Sequence, residues 1–318
     1  MRAVTVAAVD APPQLTDIPR PTPGRDQILV KIEAASLNPT DYKITSGPAA
    51  DKIQRLGGTF VFPVVLGIDG AGIVTSGGAA AKRFDIGDRV FGQFRYFPLH
   101  DGTFADYATA PDSNAIVQVP DAWDCSVAAA VPTAAMTASA ALDLLGLRPG
   151  ERLFILGATG GVGSFAIQMA TARKIDVIAT ARPGAEAFVR GLGASSTIDY
   201  SSQTVGDGPS CHAPDDIDAM LDLVSLSADE FMRNVRIVRP RRVAACAGTD
   251  TPVGHVDEIA LHSVGFHPGP ELLGRVVSEI RDQGLRVALE RSVRLEEAVT
   301  ALNRNRTGGA RGKTIITM

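Results

Sequence analysis

The feature that most constrains this chain is Gly157-Ala158-Thr159-Gly160-Gly161-Val162-Gly163, set between an apolar run at residues 152–156 and an apolar segment of helical period at 162–173. A strand that ends in a glycine-rich turn and re-enters as a helix commits the chain to a β-α unit, and repeated units of that kind to a parallel sheet with helices on both faces. Glycines permit the tight turn, let the backbone approach a pyrophosphate, and let helix and strand pack closely. The helix amino terminus then offers unpaired N–H groups and a partial positive charge to phosphate. In the fingerprint Gly-x-Gly-x-x-Gly the first position is taken by Ala158, followed by Gly160 and Gly163. Residues Ala158, Thr159, Gly160, Gly161, Val162 and Gly163 are therefore candidates for binding a dinucleotide, the alternative for a glycine pattern taken alone being a purely structural turn.

The alternation continues with strands at 177–180, 219–223 and 243–247 and helices at 185–192 and 228–238. Before Pro120 the chain reads differently: short Val and Ile runs broken by Gly, Pro and Asp, the pattern of a mainly β region. Beyond about Pro268 only two helices (271–283 and 296–303) and a last strand (313–318) remain, too few for a third domain. The tail is expected to return and complete the first one. The sequence thus predicts an α/β protein, with a β domain built from residues 1–120 and 268–318 and a doubly wound, dinucleotide-binding domain from 121–267.

Composition enters as a filter. At 318 residues the chain buries full cores without staples. A net charge of −4, from 31 Lys plus Arg against 35 Asp plus Glu, argues against nucleic acid as a partner. Cys125, Cys211 and Cys246 lie far apart without metal-ligand spacing and read as thiols in a reducing compartment. The five histidines make no metal pattern either; His262 and His267 do not share a helix face, and Pro268 follows directly. The apolar stretch 3–9 is too short for a signal core, and the uncharged stretch 126–142 contains Pro132 and suits a packed helix better than a membrane span. A cytoplasmic protein with no membrane or metal partner is expected.

The second strand ends at Ala179-Thr180-Ala181-Arg182. An acidic residue there would serve the ribose 2′-hydroxyl of NAD, whereas Arg182 suits a 2′-phosphate and favours NADPH; a solvated surface arginine is the other reading. Thr180 at the strand end is a further cofactor candidate.

With these residues in view, the chain resembles the medium-chain dehydrogenase/reductase superfamily, and within it the zinc-free NADPH:quinone oxidoreductase group. The resemblance runs through Ala35-Ser36-Leu37-Asn38-Pro39-Thr40-Asp41-Tyr42-Lys43, Pro63-Val64-Val65-Leu66-Gly67-Ile68-Asp69-Gly70, Asp85-Ile86-Gly87-Asp88-Arg89-Val90, Gly102-Thr103-Phe104-Ala105-Asp106-Tyr107, Leu192-Gly193-Ala194, Ile198-Asp199-Tyr200 and Arg311-Gly312-Lys313. It implies a GroES-like β domain carrying the active site, a Rossmann domain, and a cleft between them. The zinc-dependent branch places a ligating Cys where this chain has Asn38, and a His-Glu pair at Ile68 and Asp69. Asn38 and Ile68 cannot supply thiolate and imidazole to a catalytic zinc.

What the resemblance implies for function is hydride transfer from NADPH to a small-molecule quinone or enone, without zinc. It carries Asn38, Asp41 and Tyr42 over as candidate catalytic residues. A turn residue, a helix cap and a packing aromatic are the respective alternatives. Thr137 and Tyr200 are carried over as cofactor contacts, although a buried helix threonine suits Thr137 equally. A homodimer is implied, with residues 263–266 as the candidate edge strand. The competing functional reading is a non-catalytic NADPH-binding protein of the same fold, structural or RNA-associated.

Overall fold

The computed structural model describes residues 1–199, 217–236, 243–247, 252–265 and 267–318. The glycine turn sits in a seven-stranded sheet whose order is Ser196–Ile198, Asp176–Thr180, Arg152–Leu156, Ala219–Asp222, Val243–Cys246, Ile259–Ser263 and Gly254–Val256. The first six pair in parallel and only the last is antiparallel. The central strand shows why the sequence reads as a continuous apolar run. Leu153 and Ile155 enter the core under the helix Gly161–Ala172, while Phe154 and Leu156 enter the core on the opposite face with Phe231 and Val235 of the helix Ala228–Val235. A strand covered on both sides has no polar face to show. Each of its fully buried side chains contributes about 2 kcal/mol of transfer free energy.

The β region forms a largely antiparallel sheet ordered Leu289–Arg294, Lys313–Thr317, Gln27–Ser36, Asp69–Gly77, Arg89–Gln93 and Ile116–Gln118, with Tyr107–Pro111 also paired to Gln27–Ser36. The last strand pairs here, Ile315 and Ile316 facing Ser36 and Ala35. A smaller sheet of Gln14–Asp17, Arg2–Val6 and Val64–Val65 packs beside it. The helix Pro270–Asp282 buries Leu273, Val276, Val277 and Ile280 in the same core as Leu153, Ile155 and Phe165.

Some elements differ from the sequence expectation. The 126–142 stretch is two helices, Cys125–Ala129 and Pro132–Leu145, because Pro132 lacks an N–H to continue the first helix but suits the opening position of the second. The segment 296–303 opens as a 3₁₀ turn, Leu295–Glu297, before the helix Ala298–Arg306. The candidate edge at 263–266 is not the sheet edge. Among the described residues Ile259–Ser263 lies one strand in and Gly254–Val256 is outermost; Phe266 lies outside the described residues. Among the described residues no helix is long and apolar enough to cross a membrane.

Candidate functional site

The strand Arg152–Leu156 ends at Gly157, whose φ of +77° lies in the left-handed region that favours glycine; a Cβ there would also sit 2.7 Å from Val224 Cγ1. This explains the alanine in the fingerprint. The left-handed position is Gly157, so Ala158 keeps an ordinary φ and is fully buried. Gly163 is where helix and strand touch: a Cβ would meet Gly157 O at 2.5 Å and Ala158 Cα at 2.6 Å. Gly160 is the opposite case, since a Cβ would meet only Gly157 O, at 3.5 Å. Gly160 caps the helix Gly161–Ala172, whose first turn carries no acidic side chain. The N–H groups of Gly161, Val162 and Gly163 have no intrahelical acceptor and bear the positive end of the helix dipole. An open backbone cradle of this kind fits the pyrophosphate of a dinucleotide cofactor.

The remaining cofactor candidates divide. Thr180 is buried, and its hydroxyl accepts from Gly157 N–H at 3.1 Å and donates to Ile155 O at 3.2 Å, so it holds the turn. Thr137 donates to Thr133 O, one helical turn back, at 2.6 Å. Arg182 is exposed just past the second strand. Tyr200 lies outside the described residues. Thr159 carries a contact with no counterpart in the sequence reading: its carbonyl accepts from Gly312 N–H at 2.8 Å, and Gly160 and Gly312 form an isolated parallel bridge. The tail of the chain therefore lies along the glycine turn.

Immediately beyond that bridge begins a buried polar network. Lys313 lays its stem against Gly161, where a Cβ would meet Lys313 Cδ at 2.5 Å. Its ammonium donates to Asn38 Oδ1 at 2.6 Å and to Leu37 O at 2.9 Å. Asn38 Nδ2 donates to Asp69 Oδ2 at 2.9 Å and to Ser36 O at 3.2 Å. Asp69 in turn accepts from Thr133 Oγ1 at 2.6 Å and from Thr133 N–H, while Gln93 Nε2 donates to Thr133 Oγ1 at 2.6 Å. Both amide hydrogens of Asn38 are thus committed to protein acceptors, and what it can offer a ligand is the free lone pair of Oδ1.

Asp41 joins this network as a helix cap. Asn38 lies two residues past the strand Gln27–Ser36 and caps the helix Pro39–Lys43, and its N–H donates to Asp41 Oδ2 at 2.6 Å, the third-residue half of a capping box. The other oxygen, Oδ1, is buried without a hydrogen-bond partner. Burial pushes the Asp41 carboxyl up to about 7, aided by Asp69 and opposed by the Asn38 N–H, Lys313 and Arg95. Burial likewise raises Asp69, against Lys313, Thr133 and Asn38, and lowers Lys313, against the two carboxylates.

Tyr42 is not brought to this network. It lines a cavity of about 320 Å³ with Val6, Pro12, Leu66, Leu302 and Arg306, a wall that includes no residue of the glycine turn. The Arg306 guanidinium lies 5.6 Å from the Tyr42 ring centroid. Burial raises the phenol, with Arg306 opposing. Sequence reasoning missed Lys313, Asp69 and Thr133 as site residues. A signal existed for the first two, each a charged residue embedded in an apolar strand segment. Thr133 carries none.

The donors at the zinc branch's position do not suit a catalytic zinc. Ile68 has no ligating atom, Asn38 is committed as described, and Asp69 is saturated by Thr133 and Asn38. Among the described residues no group of three His, Cys, Asp or Glu is placed to hold a metal ion.

Comparison with known proteins places these features in context. Residues 24–121 match the family described as alcohol dehydrogenase GroES-like domain, and residues 192–316 that described as zinc-binding dehydrogenase. The mitochondrial NAD(P)H oxidoreductase RTN4IP1 of Mus musculus is 30% identical over 329 residues, covering 92% of this chain and 81% of that protein. The 2-methylene-furan-3-one reductase of Solanum lycopersicum is 33% identical over 238 residues, 72% of this chain and 57% of that protein. Several curated relatives are matched, like this one, over little more than half of their length. Among solved structures, the quinone oxidoreductase from Coxiella burnetii superposes with a TM-score of 0.84 at 28% identity, covering 100% of this chain and 99% of that one.

Proposed function

The chain belongs to the medium-chain dehydrogenase/reductase superfamily, among its quinone-oxidoreductase-like members, and from that premise we propose that it is an NADPH-dependent reductase of quinones or other α,β-unsaturated carbonyls that works without zinc. The observation that carries the reading is the pairing of an open Gly160 cradle with Arg182 at the end of the next strand. The names of the relatives, a furanone reductase and a quinone oxidoreductase, support the substrate class.

NADPH supplies a hydride when bound. The chain's own residues do the rest. The first-turn N–H groups of Gly161, Val162 and Gly163 receive the pyrophosphate, and Arg182 receives the 2′-phosphate. Lys313 fixes the carboxamide of Asn38 so that Oδ1 remains as an acceptor for a hydroxyl at the nicotinamide end. Asp69 and Thr133 hold its other face, and Asp41 holds the helix on which it sits. With no ligand set for a Lewis acid among the described residues, the acceptor in this reading is a carbonyl whose developing anion is already delocalised, which a quinone or enone provides. Solvent supplies the proton in this reading, because Tyr42 faces a separate cavity. A homodimer formed through the outer strand Gly254–Val256 belongs to the same reading.

The test is NADPH oxidation by the purified chain with a panel of quinones, enones and enoyl thioesters, repeated after exhaustive chelation. Turnover of one of these classes that survives chelation is expected. No turnover of any of them, or a loss that zinc alone restores, overturns the proposal.

A further inference from the structure

The cavity beside Tyr42 is lined by no residue of the glycine turn and by none of the polar network around Asn38. At about 320 Å³ it falls at the lower end of the roughly 300–1,000 Å³ that small-molecule sites occupy. Its walls come from residues 6–13 after the first strand, from the helix Pro39–Lys43, and from the helix Ala298–Arg306. Val6, Leu66 and Leu302 are buried, and with Pro12 and Val299 they make most of the wall apolar.

The polar groups on the wall divide into committed and uncommitted ones. Ser46 Oγ donates to Lys43 O at 2.6 Å, and Asp10 Oδ1 accepts from Gly47 N–H at 2.8 Å, at the amino end of the helix Gly47–Arg55. The Tyr42 hydroxyl, the Asn303 amide and the Arg306 guanidinium can all donate, and among the described residues none of these side chains makes a hydrogen bond or ion pair. Arg306 lies instead over the Tyr42 ring, 5.6 Å from its centroid, a cation–π contact that holds the guanidinium at the cavity. A cation in the last turn of a helix already suits the helix dipole. The dipole does not account for its position over a tyrosine. Apolar walls that meet three uncommitted donors, one of them a cation, suit a ligand with a hydrocarbon body and an anionic head.

We propose that this cavity is a second small-molecule site, separate from the hydride-transfer site, and that it takes an apolar monocarboxylate. The hydrocarbon body lies against Val6, Leu66, Val299 and Leu302, and the carboxylate accepts from the Arg306 fork. Because the two sites share no wall residue, the proposal does not rest on the NADPH reading.

The experiment is an NMR titration of octanoate into the full chain labelled at its Leu and Val methyl groups, with and without saturating NADPH. Saturable shifts at Leu66, Val299 and Leu302 are expected, with one dissociation constant that NADPH leaves unchanged. Arg306→Gln, a substitution at an exposed residue, should raise that constant about tenfold or more, the scale of a hydrogen bond to a charged group. Arg306→Lys should fall between, keeping the charge and losing the fork. Val299→Phe, which narrows the cavity and leaves Arg306 in place, should abolish the shifts. Octan-1-ol and octylamine, which share the body and lack the anion, should bind at least about tenfold more weakly. No saturable shift at the three residues overturns the proposal, as does undiminished binding in Val299→Phe. Octanoate binding to Arg306→Gln as to wild type, or octanol or octylamine bound as tightly as octanoate, removes the carboxylate from the site and overturns it too. Competition between octanoate and NADPH overturns its separation from the cofactor site.

Discussion

Replacing Asp41 by asparagine should make the protein more stable above neutral pH and no more stable in mild acid. The carboxyl is fully buried, one oxygen accepts the Asn38 N–H, and the other has no partner. Its ordinary value of 3.8 is pushed up to about 7 in the folded chain. Between those values the folded state keeps a proton that the unfolded state has released, so stability falls as pH rises through the window. Roughly three pH units at about 1.4 kcal/mol each amount to a loss of about 4 kcal/mol that is complete above the folded value.

Asparagine cannot ionise, and its carbonyl can take over the bond from Asn38 N–H. Its amide, placed where the unpartnered oxygen now lies, costs about 1–3 kcal/mol for an unsatisfied buried donor. The variant should therefore gain about 1–3 kcal/mol over wild type near pH 8 and match or fall below it near pH 5. Urea unfolding at both pH values measures this. A Asp41→Asn effect of the same sign and size at the two pH values would refute the reasoning, because it would mean that Asp41 is ionised throughout.

Two glycines of the cofactor turn should behave oppositely on substitution. Gly163→Ala drives a Cβ into backbone at 2.5 and 2.6 Å and should cost about 3 kcal/mol in urea unfolding, whereas Gly160→Ala, with nothing nearer than 3.5 Å, should change stability by less than about 1 kcal/mol yet weaken NADPH in titration at least tenfold by filling the cradle. Tyr42→Phe should lower steady-state turnover only a few-fold, since its ring lies in the cavity beneath Arg306; a loss of about 100-fold, on the scale of general-acid catalysis, would return proton donation to Tyr42.

The parts of this molecule legible in its sequence are those whose causes are local. The strand Arg152–Leu156 reads as a strand because both of its faces are buried, and the glycine turn reads as a turn because Gly157 and Gly163 answer steric demands only a few residues away. The last strand, Lys313–Thr317, pairs with Gln27–Ser36, whereas the helix Pro270–Asp282 packs with Leu153 and Ile155, a split that no local pattern in 268–318 reports. The helix Gly47–Arg55 was not legible either, because its apolar pattern is weak and it follows directly on another short helix. The polar network was illegible for a different reason: Lys313 and Asn38 are 275 positions apart, and no periodicity reports a contact of that separation. Tyr42 and Asp41 adjoin in sequence, yet one step along a helix turns a side chain by about 100°, enough to send one into the network and the other into a different cavity.

The pairing of Lys313–Thr317 with Gln27–Ser36 also sets an order of folding. The β domain cannot close its sheet until residues some 280 positions apart meet, and in an unfolded chain that loop carries a large closure entropy. Once the parallel-sheet domain between them has folded, its two ends lie close together and the loop is effectively short. The inserted domain thus acts as a template for the one that surrounds it. In a native-state hydrogen-exchange experiment the amides of Ile315 and Ile316 would then open whenever the Rossmann core opens, while the amides of Leu153 and Ile155 would survive the local loss of the last strand.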